Sequence, residues 1–355
     1  MLQEVALSPL DQFASRGYIS LLFCFPSLDH THENLVTQLQ HGLSCFASLF
    51  PVVKGHVQQK LERGHVKVVY SVDAADPPFA VRDTSLKYEE LRQKGFPIQG
   101  PRHGSVSHEA AGWDGTVVAV KVSKLRGGLI LCFSAHHSFV NAAGLGVLTK
   151  LYAECCSGKI RHDYARVMKQ DRVRSLQGTD LEDALIHHGR LWMPPEPNHS
   201  RIPTPEPISP KFAKISIAMT ISEVALQQLK HSCAENATDK HSTSFISALD
   251  AATSLLFVGI MRARSPYLPP GSICSLNIAV DGRSKLVPPL PDDFLGNSHA
   301  GAIVSIPVSD LNSQDVGVTI GNVAFQIRTA ITAVDNQLIR SSTSECYSVL
   351  PPHGV

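Results

Sequence analysis

A strand-like stretch that runs through two adjacent histidines into a helix is the feature that most constrains this chain. The segment LILCFSAHHSFVNAAGLGVLTKLYAECC begins with an apolar run, reaches His136 and His137, and continues with a broad apolar face at helical spacing. Adjacent residues on a strand point to opposite faces, so only one of the two histidines can face a given cavity. The pattern predicts an α/β fold with a candidate site at the end of this strand.

The same alternation of strands and helices extends along the chain. In the first half, the predicted strands are RGYISLLFCF, HVKVVYSV, and a hairpin of TVVAVKVSKL and LILCFSAHH across an RGG turn, with a helix in ENLVTQLQHGLSCFASLF. In the second half, the predicted strands are FAKISIAMT, SICSLNIAVDGR and AGAIVSIPV. Helices are predicted after a capping box of Thr220 and Glu223, in STSFISALDAATSLLFVGIMRARS, and from Asp315 to Arg340.

A proline-rich run, WMPPEPNHSRIPTPEPISP, interrupts this alternation. A chain of 355 residues is long enough for two domains. We therefore expect an N-terminal domain over residues 1–185, a linker over 186–210, and a C-terminal domain over 211–355.

Composition excludes several classes of partner. The chain has 32 basic and 31 acidic residues without a basic block, so we expect no nucleic-acid partner. No apolar run reaches the length of a membrane span, and the N-terminus lacks the pattern of a signal peptide. Eight cysteines without a CxxC pair are typical of a reduced chain. We expect a cytoplasmic monomer that does not bind membranes.

The histidine pair favours proton transfer over metal binding, although a histidine beside a core strand is more often structural. The two rings diverge, and no cluster of further ligands accompanies them, so we expect no metal site. A GxSxG elbow, a complete dinucleotide fingerprint and a phosphate loop are all absent. A second polar segment, AVDGRSKLVPPLPDDFLGN, places Asp281, Arg283 and Asn297 around a proline-rich turn.

Six segments in order resemble the BAHD-type acyl-CoA-dependent acyltransferases, and within them the fungal trichothecene 3-O-acetyltransferase-like branch. They are LSPLDQ, FASLFPVVKGHV, YEELRQKGFP, HHSFVNAAG, STSFISALDAATSLLFVGIMRAR and NIAVDGRSKLVPPLPDDFLGN. The resemblance implies two chloramphenicol-acetyltransferase-like α/β domains, with mixed sheets and flanking helices, and a solvent tunnel between them.

The resemblance also implies the reaction and the roles of the residues. An acyl group, acetyl in our interpretation, would pass from acyl-CoA to a hydroxyl of a fungal secondary metabolite, with His137 as general base and no bound cofactor. Imidazole suits this role because its unperturbed pKa is about 6.5. The residues implied to support the site are Asn141, Arg283 and Gly144, and those implied to lie near the substrates are His136, Asp281 and Asn297.

Two departures from the family pattern leave alternatives open. Asn141 stands where the HxxxD motif has its aspartate, and the family's Asp-Phe-Gly-Trp-Gly signature does not occur in the sequence. We therefore expect the second domain to be truncated at its C-terminus. A catalytically silent homologue that acts as a binding protein, and a condensation-domain-like enzyme, are the two alternative functions.

Overall fold

Two sheets form in the first half of the chain. The computed structural model describes residues 1–59, 65–96, 115–178, 219–238 and 245–348. Within those ranges, the strands of the first half are β1 (Gln3–Val5), β2 (Tyr18–Pro26), β3 (His56–Gln59), β4 (Val66–Tyr70), β5 (Phe79–Lys87), β6 (Val118–Arg126) and β7 (Gly128–His136). One sheet has the order β1-β4-β3 and the other the order β2-β7-β6-β5. Because β5 and β6 are parallel while the other neighbours are antiparallel, the second sheet is mixed, as predicted.

Helices flank these strands. In the first half they are α1 (Pro9–Phe13), α2 (His32–Leu49), α3 (Tyr88–Gln93), α4 (Ala142–Ser157), α5 (Tyr164–Met168) and α6 (Arg172–Ser175). Single 3-10 turns are formed at Asp29–Thr31, Pro51–Lys54 and Ser265–Tyr267. Helices α2 and α4 pack on each other and on the mixed sheet, with Tyr152 between the rings of Phe46 and Phe133 at centroid distances of 6.2 and 5.4 Å. This aromatic contact anchors α4, the helix that follows the histidines.

The hairpin predicted before the histidines is present. Gly127 adopts a φ of 77° in the turn between β6 and β7, a conformation that glycine reaches without steric cost. Every residue of β7 is buried, and β7 lies between β2 and β6. The strand that ends at His136 is therefore a central, rigid element of the fold.

The second half packs helices against a two-stranded antiparallel sheet in the residues described. Its elements are α7 (Glu223–Asn236), α8 (Ala248–Arg264), β8 (Ile273–Asp281), β9 (His299–Pro307), α9 (Val308–Leu311), α10 (Val316–Ala333) and α11 (Asn336–Ser348). The apolar sides of α8, α10 and β9 share one core that includes Phe257, Val304 and Val323. Strands β8 and β9 and helix α8 match the predicted elements.

Two predictions about helix ends are wrong. Helix α7 is capped by Ser222, whose side chain accepts a hydrogen bond from Ala225 N, so the predicted capping box starting at Thr220 does not form. The predicted helix from Asp315 to Arg340 is two helices. The chain leaves α10 at Val334, and the Asp335 carboxylate accepts from Leu338 N, which begins a new helix.

Several expectations fall outside the residues described. These are the predicted linker over 186–210 and nearly all of the predicted strand FAKISIAMT. The domain boundaries at 185 and 211 accordingly stay predictions. Within the described ranges, no helix combines the length and the apolar character that crossing a bilayer requires.

Candidate active site

The two histidines occupy different environments at the end of β7. His136 is fully buried, its Nδ1 accepts a hydrogen bond of 3.1 Å from Ser138 N, and its ring meets Tyr18 edge-on. His137 lies one residue beyond the strand, where its backbone N–H donates to Gly17 O at 2.8 Å. His137 is partly exposed, and its Nδ1 is buried without a hydrogen-bond partner, which leaves Nε2 as the nitrogen able to act on a substrate. Of the pair, only His137 is partly exposed.

Asn141 connects the histidine loop to helix α4 and to the second half of the chain. Its Oδ1 accepts one hydrogen bond of 2.9 Å from Gly144 N and one of 3.0 Å from Arg283 Nη2. The first bond makes Asn141 the N-cap of α4, a position that asparagine and aspartate occupy equally well. Asn141 and Arg283, both of which the resemblance implied to support the site, are therefore in direct contact through the Asn141 amide.

Gly144 is required by a close approach of two backbones. A Cβ atom at this position would lie 2.4 Å from the carbonyl oxygen of Leu295, which is shorter than any tolerable contact. Leu295 belongs to the FLGN segment of the second half. The absence of a side chain at Gly144 therefore lets that segment pack directly on the first turn of α4.

Arg283 has a carboxylate partner as well as Asn141. Its Nη1 donates to Asp281 Oδ1 at 2.9 Å, and its Nη2 donates to Phe294 O at 2.7 Å in addition to Asn141. The Arg283 side chain is 7% exposed, whereas that of Asp281 is 55% exposed. Asp281 thus supplies the counter-charge that Asn141 lacks, from a position much closer to solvent.

Asn297 holds the backbone of the histidine itself. Its Nδ2 donates to His137 O at 2.9 Å and to Asp11 Oδ1 at 2.7 Å, and its backbone N–H donates to the same carboxylate oxygen at 2.7 Å. Asp11 is fully buried and belongs to the capping box of α1 with Ser8. The sequence analysis quoted LSPLDQ only as part of a resemblance and did not predict that Asp11 reaches the site.

Two arginines complete the support of the histidine loop. The buried Arg172 donates from Nη1 to Phe139 O at 2.5 Å and lies over the Phe139 ring, 4.2 Å from its centroid. Burial lowers the pKa of Arg172, and the Asp11 carboxylate, 3.9 Å away, opposes this shift. Arg16 donates from Nη1 to Ser138 Oγ at 2.7 Å. Sequence reasoning missed both arginines, because no local pattern links them to the loop.

The exposed edge of His137 faces a cavity of about 300 Å³ between the two halves. The residues that line it are His137, Asn141, Ala142, Ala143, Ala279, Asp281, Arg283 and His299. His299 was not predicted as a site residue. Burial lowers the pKa of His299, as does the neighbouring His137, while Asp11 and Asp281 act in the opposite direction.

A larger cavity of about 460 Å³ lies elsewhere in the first half, between α2, α4 and the β2–β7 edge. Its lining is mostly apolar and contains none of the predicted site residues. Of these two cavities, only the smaller is lined by histidine and carboxylate side chains, so we place the candidate site there. Among the described residues, no group of three histidine, cysteine or carboxylate side chains is arranged to hold a metal ion. The expectation that no metal takes part stays an expectation.

The family of this chain follows from a match that spans nearly all of it. The model of the Transferase family matches residues 1–349. The chain belongs to the Transferase family. This confirms the resemblance to the BAHD- and TRI101-like acyltransferases and makes the chain an acyl-CoA-dependent transferase.

The O-acetyltransferases that this chain resembles are distant relatives in sequence. The eremophilane O-acetyltransferase prx11 of Penicillium rubens is 25% identical over 95% of this chain and 78% of its own length. The O-acetyltransferase astG of Aspergillus oryzae is 24% identical over 96% of this chain and 83% of its own length.

Solved structures show that the fold is shared. TRI101 of F. sporotrichioides, in complex with coenzyme A and T-2, has a TM-score of 0.75 at 16% identity, covering 98% of this chain and 79% of that one. Vinorine synthase has a TM-score of 0.55 at 15% identity, covering 99% and 81%. The α/β fold class is confirmed, whereas the predicted truncation of the second domain stays a prediction.

Proposed function

We propose that this chain transfers an acetyl group from acetyl-CoA to a hydroxyl group of a fungal secondary metabolite. One observation carries the proposal: the partly exposed imidazole of His137, at the end of the buried strand β7, faces a cavity where both halves of the chain meet. The names of the relatives prx11 and astG support acetyl transfer to oxygen. Coenzyme A and the T-2 mycotoxin in the TRI101 complex support an acyl-CoA donor and a small alcohol acceptor.

In this mechanism His137 first accepts and then returns one proton. Nε2 takes the hydroxyl proton of the acceptor while the acceptor oxygen bonds to the thioester carbonyl carbon, whose π electrons move to oxygen. When this intermediate collapses, the carbonyl re-forms, the C–S bond breaks with its electron pair on sulfur, and the proton on Nε2 passes to the coenzyme A thiolate. General-base catalysis of this kind contributes about 10²–10⁴-fold.

The other predicted residues act in this proposal through the position of His137. Asn297 holds its carbonyl oxygen, and Asn141 fixes the end of its loop against Arg283. Gly144 admits the backbone that carries Asn297. Asp281 lines the cavity, but its carboxylate accepts a hydrogen bond from Arg283. His136 is buried in the interior. Such support matters because misplacement of a base by about 1 Å can cost about 10²-fold in rate.

The test is turnover of acetyl-CoA with a panel of sesquiterpenoid alcohols of the eremophilane and trichothecene classes. Release of coenzyme A is followed with a thiol reagent and the ester product by mass spectrometry. We expect His137→Ala to lower kcat by about 10²-fold or more without changing the melting temperature. The matched control is His231→Ala, which removes a 75% exposed histidine side chain from α7. The assignment is wrong if His136→Ala loses activity while His137→Ala keeps it.

The same panel separates the alternative functions. A catalytically silent binding protein would bind coenzyme A in calorimetry without releasing thiol from acetyl-CoA in the presence of any alcohol. A condensation-type enzyme would accept acyl groups on a carrier-protein thiol in preference to acetyl-CoA. The monomeric state and the cytoplasmic location stay predictions, checked by light scattering and by imaging of a tagged chain.

A further inference from the structure

His299 belongs to a strand face that points at the candidate cavity. It is the first residue of β9, and its Cα is paired in register with that of Asp281 on β8. Directly paired residues of an antiparallel sheet project to the same face, and residues two apart on a strand share that face. Asp281, Ala279 and His299 accordingly line the cavity together. Gly301, paired with Ala279, adds no side chain to this wall.

Opposite this wall, the cavity is bordered by His137 and by the first turn of α4. Ala142 and Ala143 are the first two residues of that 16-residue helix and both line the cavity. The N–H groups of a first helical turn lack partners within the helix and favour negative charge nearby. A substrate atom held between the helix start and His299 is therefore in a place that tolerates developing negative charge.

The charged groups around His299 favour its neutral form. Burial and the neighbouring His137 both lower its pKa below the usual value of 6.5, and the carboxylates of Asp11 and Asp281 do not reverse the shift. Both carboxylates are engaged elsewhere, Asp11 with Asn297 and Asp281 with Arg283. A neutral imidazole keeps one N–H donor and does not repel the positive charge that His137 gains during attack.

His299 is also free to donate. Its side chain makes no hydrogen bond to any residue that the structure describes, whereas both terminal nitrogens of Arg283 are already bonded. Attack on a thioester turns its carbonyl oxygen into an oxyanion, and a preorganised donor at that oxygen lowers the barrier. His137 cannot fill this role, because it accepts the acceptor's proton in the same step.

We propose that His299 is a second catalytic residue, which donates a hydrogen bond to the thioester carbonyl oxygen as that oxygen becomes an oxyanion. The proposal rests on the proposed acyl transfer and adds a role that the reaction needs. The proton of His299 stays on its nitrogen throughout, and His137 alone carries the proton from the acceptor hydroxyl to the leaving thiolate.

The kinetic test compares His299→Ala with His299→Gln, whose amide restores an N–H donor. We expect His299→Ala to lower kcat by about 10²-fold, the typical effect of losing one oxyanion donor, with the KM for acetyl-CoA unchanged. The kcat of His299→Gln should be about tenfold higher than that of His299→Ala. Its pH profile should keep the acid limb of the wild type, that is, the fall in kcat at low pH. A normal kcat in His299→Ala with a raised acceptor KM overturns the proposal, and so does loss of the acid limb in His299→Gln.

A second measurement does not depend on turnover. A coenzyme A analogue in which CH₂ replaces the thioester sulfur carries a ¹³C-labelled ketone, and its carbonyl resonance moves downfield when a donor binds the oxygen. We expect this shift with the wild-type chain and with His137→Ala, and its loss with His299→Ala. A shift that persists in His299→Ala overturns the proposed role of His299 but leaves the proposed acyl transfer unaffected. Failure of the wild-type chain both to turn over acetyl-CoA and to bind the analogue overturns this role and the proposed function together.

Discussion

Replacing Asn141 by alanine tests whether the amide braces the histidine loop. Asn141 is 9% exposed, and its Oδ1 is the acceptor of both the α4 cap and the Arg283 hydrogen bond. Alanine removes both bonds at once and leaves the backbone free to keep its conformation. The substitution therefore tests the brace without altering the His137 side chain.

The expected cost follows from these two bonds. Loss of an asparagine N-cap costs about 1 kcal/mol. Loss of a hydrogen bond to a charged group costs about 1.5–3 kcal/mol. We take the lower end of that range, because Nη2 of Arg283 keeps Phe294 O at 2.7 Å and Nη1 keeps Asp281. Asn141→Ala should thus lower the free energy of unfolding by about 2.5 kcal/mol, read from urea unfolding followed by circular dichroism. We also expect kcat to fall by about tenfold, because the loop carries the base.

Asn141→Asp is the matched variant, since a carboxylate can accept the same two hydrogen bonds. Asp281 already pairs with Arg283, so a second carboxylate adds at most about 1 kcal/mol, including its favourable position at the start of α4. Arg283 would depress the folded pKa of the introduced carboxyl below its unfolded value of about 3.9. The added stability should therefore be present above pH 4 and disappear as the pH falls through that folded pKa.

Two results would refute this reasoning. One is an Asn141→Ala variant whose unfolding free energy stays within about 0.5 kcal/mol of the wild type, which is the range of ordinary surface substitutions. The other is strict additivity of Asn141→Ala and Arg283→Gln in a double-mutant cycle, because residues that share a hydrogen bond should show a coupling energy of about 0.5 kcal/mol or more.

Three further predictions concern the surroundings of the site. Gly144→Ala should cost about 1–3 kcal/mol through overpacking against the facing backbone, whereas Gly146→Ala, two residues along the same helix and with open space around it, should stabilise by about 0.5–1 kcal/mol. Asp11→Asn should cost about 3 kcal/mol in urea unfolding, because it removes the carboxylate nearest the fully buried Arg172. Burial raises the pKa of Cys156 to about 11, so this thiol should resist alkylation at pH 8 until the chain unfolds, and the stability linked to it should be lost as the pH rises above about 8.5 toward 11.

Local patterns predicted the elements that carry the site, because the signals lie within a few residues. The glycine of the RGG turn and the apolar run after it define the hairpin that ends at His136. The apolar face of AAGLGVLTKLYAECC predicted helix α4 directly after the histidines. The prediction failed where two local signals compete, as at Asp335, whose side chain caps a new helix inside a longer periodic stretch.

Contacts between distant segments could not be predicted in the same way. Asp11 bonds Asn297 across 286 positions of sequence, and Arg172 reaches Phe139 from a stretch with little apolar periodicity. His299 carries no motif of its own. It joins the site because β9 pairs with β8 in a register that sets it beside Asp281, and register is a property of the folded sheet.

The position of the base therefore depends on the association of the two halves more than on the strand that carries it. Strand β7 fixes His136, but the loop beyond it is held by Asn297 and Arg283 from the second half as well as by Arg172. All three attachments end on backbone or amide oxygens, and two of the three donors are guanidinium groups. The Arg283–Asp281 pair lies toward solvent on the Asp281 side, and the buried Arg172 has the Asp11 carboxylate 3.9 Å away. An asparagine at position 141 is compatible with that arrangement, because the guanidinium it touches is already neutralised. The departure from the family's aspartate is thus compensated within the site, and it does not by itself argue that His137 has lost its role as the base.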